Sequence, residues 1–132
     1  MKEYKNKQGQ YHRTDGPAYE YADGTKYWYL NGKRHREDGP AIEYSDGSKV
    51  WYIKGKRHRT DGPAREYTSG HKVWYIKGKR HRTDGPACEW DDGTKEWYIN
   101  GELVYSDNMN NLSQFDVSES FKQSIIKYEL AR

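Results

Sequence analysis

The stretch HRTDGPAREYTSGHKVWYIKGK, residues 58–79, decides the fold because close copies of it return along the chain at a constant interval. The interval is 23 residues, and it is kept by His12, His35, His58 and His81 and by Trp28, Trp51, Trp74 and Trp97. A fixed period of about 20 to 50 residues is typical of repeat proteins, whose units bury their apolar sides only against their neighbours. Such proteins usually act through extended surfaces, whereas an enzyme needs one pocket where unlike groups converge.

The core of this 132-residue chain must be built mainly from aromatic rings. Residues 1–101 contain only seven Leu, Ile or Val residues, whereas the whole chain has 13 Tyr and 5 Trp. A shortage of aliphatic residues usually indicates disorder, but disorder also requires few aromatics and a high net charge, and the formal charge here is only +3. We therefore expect a folded domain whose rings and long side-chain stems form the core.

Each unit carries two turn signals that predict β-hairpins. One is Asp23-Gly24, Asp46-Gly47, Ser69-Gly70 and Asp92-Gly93, and the other is Asn31-Gly32, Lys54-Gly55, Lys77-Gly78 and Asn100-Gly101. A strand is expected near each PAxEY, another near each KxWYI, and a short extension at each KRHR. The fold class predicted is all-β: an antiparallel meander of stacked 23-residue hairpin repeats in an elongated sheet, with a C-terminal α-helix as a cap.

Alternation along the strands predicts which side chains face the core, if both turns have two residues. The side taken as buried holds Ile42, Tyr44, Trp51, Ile53 and His58. The side taken as solvated holds Ala41, Glu43, Val50, Tyr52, Arg57 and Arg59. A one-residue bulge at either glycine would exchange part of the two sets.

The pattern divides the chain into a repeat array at 1–107, a linker at 108–115 and a helix at 116–131. The helix is predicted from Asp116 and Glu119, which have capping-box spacing. Val117, Phe121, Ile125 and Tyr128 share one helical face. Because the last unit of an array leaves an open strand edge, we expect this helix to cover it.

The spacing of Asn31-Gly32-Lys33-Arg34-His35 and of its later copies at 54–58 and 77–81 resembles the membrane occupation and recognition nexus (MORN) repeat. The resemblance covers residues 4–107, about four units, and extends to divergent antitoxin-like arrays of bacteria and to WYxNGKxHRxDGPA repeats of phages and large DNA viruses. It implies a ribbon of β-hairpins used for protein contact, and sometimes for dimerisation or lipid contact. The chain departs from the usual motif at Arg36, Arg59 and Arg82, where a glycine is usual.

The repeated His, Asp and Cys residues do not predict chemistry. Equivalent residues of successive units are about 10 Å apart in a sheet, so the four repeat histidines cannot share one metal ion, and a structural role stacked on tryptophan is expected instead. Each DGPA aspartate follows an arginine by two residues, and we expect that pair to be structural. Cys88 lacks a Cys/His arrangement beside it. No catalytic residue, metal or cofactor is predicted.

A tract of tyrosine and arginine is the sequence's best candidate for a contact surface. The predicted partner-binding residues are Tyr29, Arg34, Arg36, Tyr52, Arg57, Arg59, Arg65, Tyr75, Arg80, Arg82 and Tyr98. The repeat glutamates Glu20, Glu43, Glu66 and Glu89 are expected to pair with Arg57-type residues across the strands. Specificity is expected where the repeat varies, at Tyr19, Ile42, Arg65 and Cys88 on one strand and at Tyr27, Val50, Val73 and Glu96 on the next.

These features predict a non-enzymatic module that neutralises or sequesters a protein partner. Nucleic-acid binding by the Tyr/Arg surface is one alternative, although a charge of +5 over residues 1–101 is weak for that role. Structural self-association, as in a virion component or a homodimer through the helix or a strand edge, is another. Glycan binding is a third, since the Trp-Tyr spacing is also similar to choline- and glucan-binding repeats. One cysteine, no apolar run of about 18 residues and no signal-peptide core favour the cytoplasm and exclude membrane insertion.

Overall fold

The computed structural model describes residues 1–106 and 119–131, and the side chains of 1–106 and 121–127. Ten strands form one antiparallel sheet: β1 Lys2–Glu3, β2 Tyr19–Glu20, β3 Lys26–Tyr27, β6 Ile42–Glu43, β7 Lys49–Val50, β10 Arg65–Glu66, β11 Lys72–Val73, β14 Cys88–Glu89, β15 Lys95–Ile99 and β16 Glu102–Ser106. Three separate hairpins are β4 Tyr29–Leu30 with β5 Lys33–Arg34, β8 Tyr52–Ile53 with β9 Lys56–Arg57, and β12 Tyr75–Ile76 with β13 Lys79–Arg80. Helix α1 spans Glu119–Ala131.

The predicted fold class is confirmed. Neighbours in the ten-stranded sheet follow the order in which they occur in the chain, and every pairing is antiparallel. Each full unit crosses the sheet, bends at its tryptophan, forms a short hairpin and returns through the DGPA loop to the next sheet strand. The hairpins of successive units are joined by backbone hydrogen bonds, such as that from Gly55 N–H to the carbonyl of Arg34 at 2.8 Å.

The two turn signals produce two different turns. Tyr52 pairs with Arg57 and Ile53 with Lys56, so the loop between them has two residues. Lys54 and Gly55 have φ of 50° and 82°, the combination of a type I′ turn. At the other end of the unit, Tyr44 N–H bonds the carbonyl of Ser48 and Gly47 N–H bonds that of Tyr44, so this loop has three residues. Gly47, with φ of 95°, takes up the extra residue.

The three-residue loop makes the predicted assignment of faces wrong in part. It brings Val50 opposite Ile42, whereas a two-residue loop would have placed them on different faces. Val50, Tyr52 and Ala41, which were assigned to solvent, are 3%, 7% and 0% exposed. Trp51, Ile53 and His58, which were assigned to the core, are only half-buried.

The core is divided among small clusters, one after another along the array. One cluster contains Ala41, Ile42, Val50 and Tyr52, and the next contains Ala64, Val73, Tyr75 and Cys88. Tyrosines and tryptophans surround both clusters, as the scarcity of aliphatic residues predicts.

Helix α1 packs on the last unit of the array. Phe121 and Ile125 are 0% and 4% exposed and form a cluster with Trp97, Val104 and Tyr105. The contact confirms a C-terminal helix cap. The predicted linker at 108–115 lies outside the described residues. So do residues 116–118 of the predicted helix and the side chains of Glu119 and Tyr128, and the capping box stays a prediction.

Candidate binding clefts along the array

Each DGPA loop is held by the arginine that precedes it. The Nε of Arg36 lies 3.0 Å from Oδ1 of Asp38, and its Nη1 lies 3.1 Å from the carbonyl oxygen of Pro40 and 3.3 Å from Oε1 of Glu43. The guanidinium also lies 4.0 Å from the ring centroid of Trp28. This arrangement leaves the Arg36 side chain 22% exposed and that of Asp38 87% exposed, so the carboxylate faces solvent with the cation behind it.

The same network recurs around Arg59 and Arg82, each 3.9 Å from the ring of Trp51 or Trp74. The loop glycine is part of it: a Cβ on Gly62 would lie 2.8 Å from Cζ of Arg59, too close for an unmoved guanidinium. The expected pairing of each DGPA aspartate with its arginine is confirmed. The predicted pairing of the repeat glutamates with Arg57-type residues is wrong, because Glu66 bonds Arg59 at 3.1 Å.

The repeat histidines hold the next unit's turn. Nδ1 of His35 accepts a hydrogen bond from the backbone N–H of Lys54, and His12, His58 and His81 make the same bond to Asn31, Lys77 and Asn100. The role is structural, as expected, but the predicted stacking on tryptophan is not what the structure has. The rings of Trp28, Trp51 and Trp74 are instead covered by the guanidinium of the arginine that follows the histidine, as with Arg36 on Trp28.

Three equivalent open clefts lie between successive DGPA loops on the tryptophan side. Their volumes are about 660, 560 and 360 Å³ in chain order. In the second cleft, Trp51 and Ile53 supply apolar surface, His58 lies beside them, and Asp38 and Asp61 stand on the two rims. Leu30 and Ile76 replace Ile53 in the first and third clefts.

The indole N–H groups in the clefts are available to a ligand. Within the part of the chain that the structure describes, no residue accepts a hydrogen bond from Nε1 of Trp28, Trp51 or Trp74. The aliphatic and aromatic surface of the cleft suits apolar side chains of a ligand. The indole N–H suits a hydrogen-bond acceptor, and the rim carboxylates suit a cationic group. Sequence reasoning missed these clefts because it assigned Trp51 and Ile53 to the core. The signal that could have found them is the Ser or Thr that follows the Asp-Gly step, because its backbone N–H bonds the aspartate, as from Ser48 to Asp46.

The predicted partner-binding residues fall into two groups. Arg36, Arg59 and Arg82 border the clefts, where each is engaged by its own loop. The others lie on the opposite side as an alternating ladder of tyrosine and arginine: Tyr29, Arg34, Tyr52, Arg57, Tyr75, Arg80 and Tyr98, with Arg65 beside them. Arg57 lies 5.3 Å from the ring of Tyr75, and Nη1 of Arg80 lies 3.2 Å from the Tyr98 hydroxyl oxygen. Tyr52 and Tyr75 are 7% and 5% exposed, so the ladder contributes mainly to the core.

Two single residues within the third and fourth units are shielded from solvent, Cys88 fully and His71 in part. Burial raises the pKa of the Cys88 thiol to about 11, against an opposing effect of Arg80, so the thiol stays protonated. His71 is stacked between Tyr67 and Trp90, with ring centroids 5.3 and 4.2 Å away. Burial lowers the pKa of His71, and the charge of Arg65 lowers it further.

The hairpin tips form a separate basic edge. Lys33, Lys54, Lys56, Lys77 and Lys79 are all exposed and lie in or beside the type I′ turns. None of the five has a carboxylate partner among the described residues. The array therefore has a lysine-rich edge at its hairpin tips and aspartates at the rims of its clefts.

Residues 1–106 and 121–127 contain no group of three or more His, Cys, Asp or Glu side chains placed to hold a metal ion. In the same part of the chain, no helix has the length and apolar character needed to cross a bilayer. Comparison with known families, curated proteins and solved structures finds no match to this chain.

Proposed function

We propose that this chain is a non-enzymatic repeat module that binds a protein partner through the row of tryptophan clefts and sequesters it. The observation that carries the proposal is the threefold recurrence of one cleft whose indole N–H has no acceptor among the described residues. Repetition at equal intervals multiplies one weak contact into a specific extended interface. Sequestration, rather than a transient contact, is the role implied by the resemblance to antitoxin-like arrays, and the single buried cysteine fits action in a reducing cytoplasm.

The cleft chemistry supports a protein as the partner. Aromatic and aliphatic surface framed by charged rims is the usual composition of a protein-binding patch. The rim carboxylates of Asp38 and Asp61 are 87% and 83% exposed, and they would repel a phosphate backbone. The clefts therefore favour a polypeptide over a nucleic acid.

Affinity capture with two matched double variants tests the proposal. Ile53→Glu with Ile76→Glu places charges in the second and third clefts, whereas Lys54→Glu with Lys77→Glu changes the neighbouring residues at the hairpin tips. We expect a protein captured from native lysate by the unaltered chain to be lost with the cleft variant and kept with the tip variant. Both variants are first checked by near-ultraviolet circular dichroism. A folded cleft variant that retains the partner would overturn the proposal.

The lysines at the hairpin tips favour a second candidate, binding of a nucleic acid or another polyanion. If this second candidate is correct, the tip variant loses binding to the polyanion and the cleft variant keeps it. Affinity for a polyanion also falls steeply as salt rises, because each phosphate contact releases bound counterions. Capture at low and at high salt therefore separates the two candidates.

A further inference from the structure

The fourth tryptophan site of the array is already occupied, and its occupant is the chain's own helix. Two periods after Trp51, Ile53, His58 and Arg59, the equivalent positions hold Trp97, Ile99, Val104 and Tyr105. Trp97, Val104 and Tyr105 form a buried cluster with Phe121 and Ile125 of α1, and Ile99 packs against that cluster. The preceding DGPA loop, with Arg82, Asp84 and Pro86, faces Gln123, Ser124 and Lys127 of the same helix across a cavity of about 470 Å³. Helix α1 therefore stands where the first three units have an open cleft.

Occupation changes the state of the tryptophan. Trp97 is 0% exposed, whereas Trp28, Trp51 and Trp74 are half-buried. The indole N–H of Trp97 donates a hydrogen bond to Oγ of Ser124 at 3.1 Å, and Ser124 in turn donates to the carbonyl of Phe121 at 2.7 Å. The helix thus supplies an acceptor, which the other three indoles lack among the described residues, together with two apolar side chains four residues apart.

Differences in lining show how an occupant of the open clefts would differ from α1. In the fourth unit the polar His and Arg of the repeat are replaced by Val104 and Tyr105, which match an apolar helix face. The open clefts keep His58 and Arg59 and are rimmed by exposed aspartates. In the occupied site, Lys127 lines the same cavity as Asp84 and Glu89. A helix that fills the open clefts is therefore expected to carry lysine or arginine beside its apolar pair.

We propose that the three open clefts bind an amphipathic helix of the partner protein, in the way that α1 fills the fourth. The apolar side chains at positions i and i+4 would cover the tryptophan and the neighbouring Ile or Leu. A hydroxyl or carbonyl oxygen would accept from the indole N–H, and basic residues would meet the rim carboxylates. The inference rests on the proposed protein-binding function and names the class of partner.

The test uses the whole chain and a peptide with the sequence of residues 116–131, which contains the helix known to fit one site. The indole ¹H–¹⁵N signals of the tryptophans report each site separately. Addition of the peptide to about 1 mM should shift the signals of Trp28, Trp51 and Trp74 and leave that of Trp97 in place. A peptide carrying Phe121→Ala and Ile125→Ala should bind at least about tenfold more weakly. One carrying Lys122→Glu and Lys127→Glu should also lose affinity.

Three results would overturn the inference. The first is no shift at the highest peptide concentration, and the second is equal shifts with the alanine peptide. The third is a shift confined to Trp97, which would mean that the peptide exchanges with the chain's own helix. Sedimentation of the chain without peptide tests a second copy as the occupant. If the chain dimerises, and the signals of Trp28, Trp51 and Trp74 shift as the chain concentration is raised through the same range, those clefts hold α1 of a second copy and not a partner's helix. Failure of the peptide test would leave the proposed protein-binding function standing, because a partner that binds as an extended segment would still be lost with the cleft variant.

Discussion

The imidazole of His35 accepts a hydrogen bond from the backbone N–H of Lys54, with 2.8 Å between Nδ1 and the amide nitrogen. The bond joins consecutive units, because His35 closes one hairpin while Lys54 opens the turn of the next. The same bond occurs in all four units, so one imidazole per repeat holds the neighbouring turn in place.

Because Nδ1 accepts, the repeat histidines must carry their proton on Nε2 when neutral. Long-range ¹H–¹⁵N spectra at neutral pH should show the Nε2–H tautomer for His12, His35, His58 and His81. We expect His35→Leu to lower the free energy of unfolding by about 1–2 kcal/mol, since the Lys54 amide loses its acceptor. An Nδ1–H tautomer at these histidines would contradict the assignment.

Replacing the lysines at the first position of the type I′ turns should stabilise the chain. Lys54 and Lys77 have φ of 50° and 51°, a region that asparagine tolerates better than lysine. The first and last of these turns already have asparagine at this position, Asn31 and Asn100, each with φ of 49°. Lys54→Asn and Lys77→Asn should each raise the free energy of unfolding by about 0.5–1 kcal/mol, measured as a higher denaturant midpoint at unchanged slope. Lys56→Asn, in a strand beside the same turn, is the control and should not stabilise.

Arg59 and Gly62 should behave as one unit in a double-mutant cycle. Arg59→Lys removes the fork that joins Asp61, Pro63 and Glu66, and Gly62→Ala forces the same guanidinium to move. Each change should cost about 1–2 kcal/mol of unfolding free energy. The double variant should cost less than the sum, because the second change disturbs a contact that is already lost. Strict additivity would show that the glycine does not act through the arginine.

Stability should decline in mild acid because of His71. Burial lowers the pKa of this histidine in the folded chain below the ordinary value of 6.5, so the unfolded chain binds the proton more readily. The contribution of His71 is therefore fully present above pH about 6.5 and is lost as the pH falls from there through the lowered pKa. His71→Ser copies the equivalent Ser48, whose Oγ accepts from Thr68 N–H at 3.2 Å. Unfolding midpoints measured from pH 7.5 to 5 should fall less steeply in this variant, and an equal slope would exclude His71 as the cause.

Turn chemistry explains why the sequence predicted the fold better than the site. The period, the hairpins and the C-terminal helix follow from local signals that do not depend on register. The assignment of Trp51 to the core and Val50 to solvent did depend on register, and one additional residue in the Asp46-Gly47 loop reversed it. The candidate clefts were missed for the same reason.

By itself, the sequence determined that the chain is an array of antiparallel hairpins with a helix after it, because a 23-residue period and Gly-containing turns leave few alternatives. It also determined that four equivalent histidines cannot converge on one ion, since units in a sheet lie about 10 Å apart. Only the tertiary structure decided what each side chain does. The second arginine of each KRHR run binds its own loop, and α1 fills the fourth tryptophan site while three remain open. The place of α1 depends on contacts between residues far apart in the chain, such as the bond from Trp97 to Ser124, which local propensity does not encode.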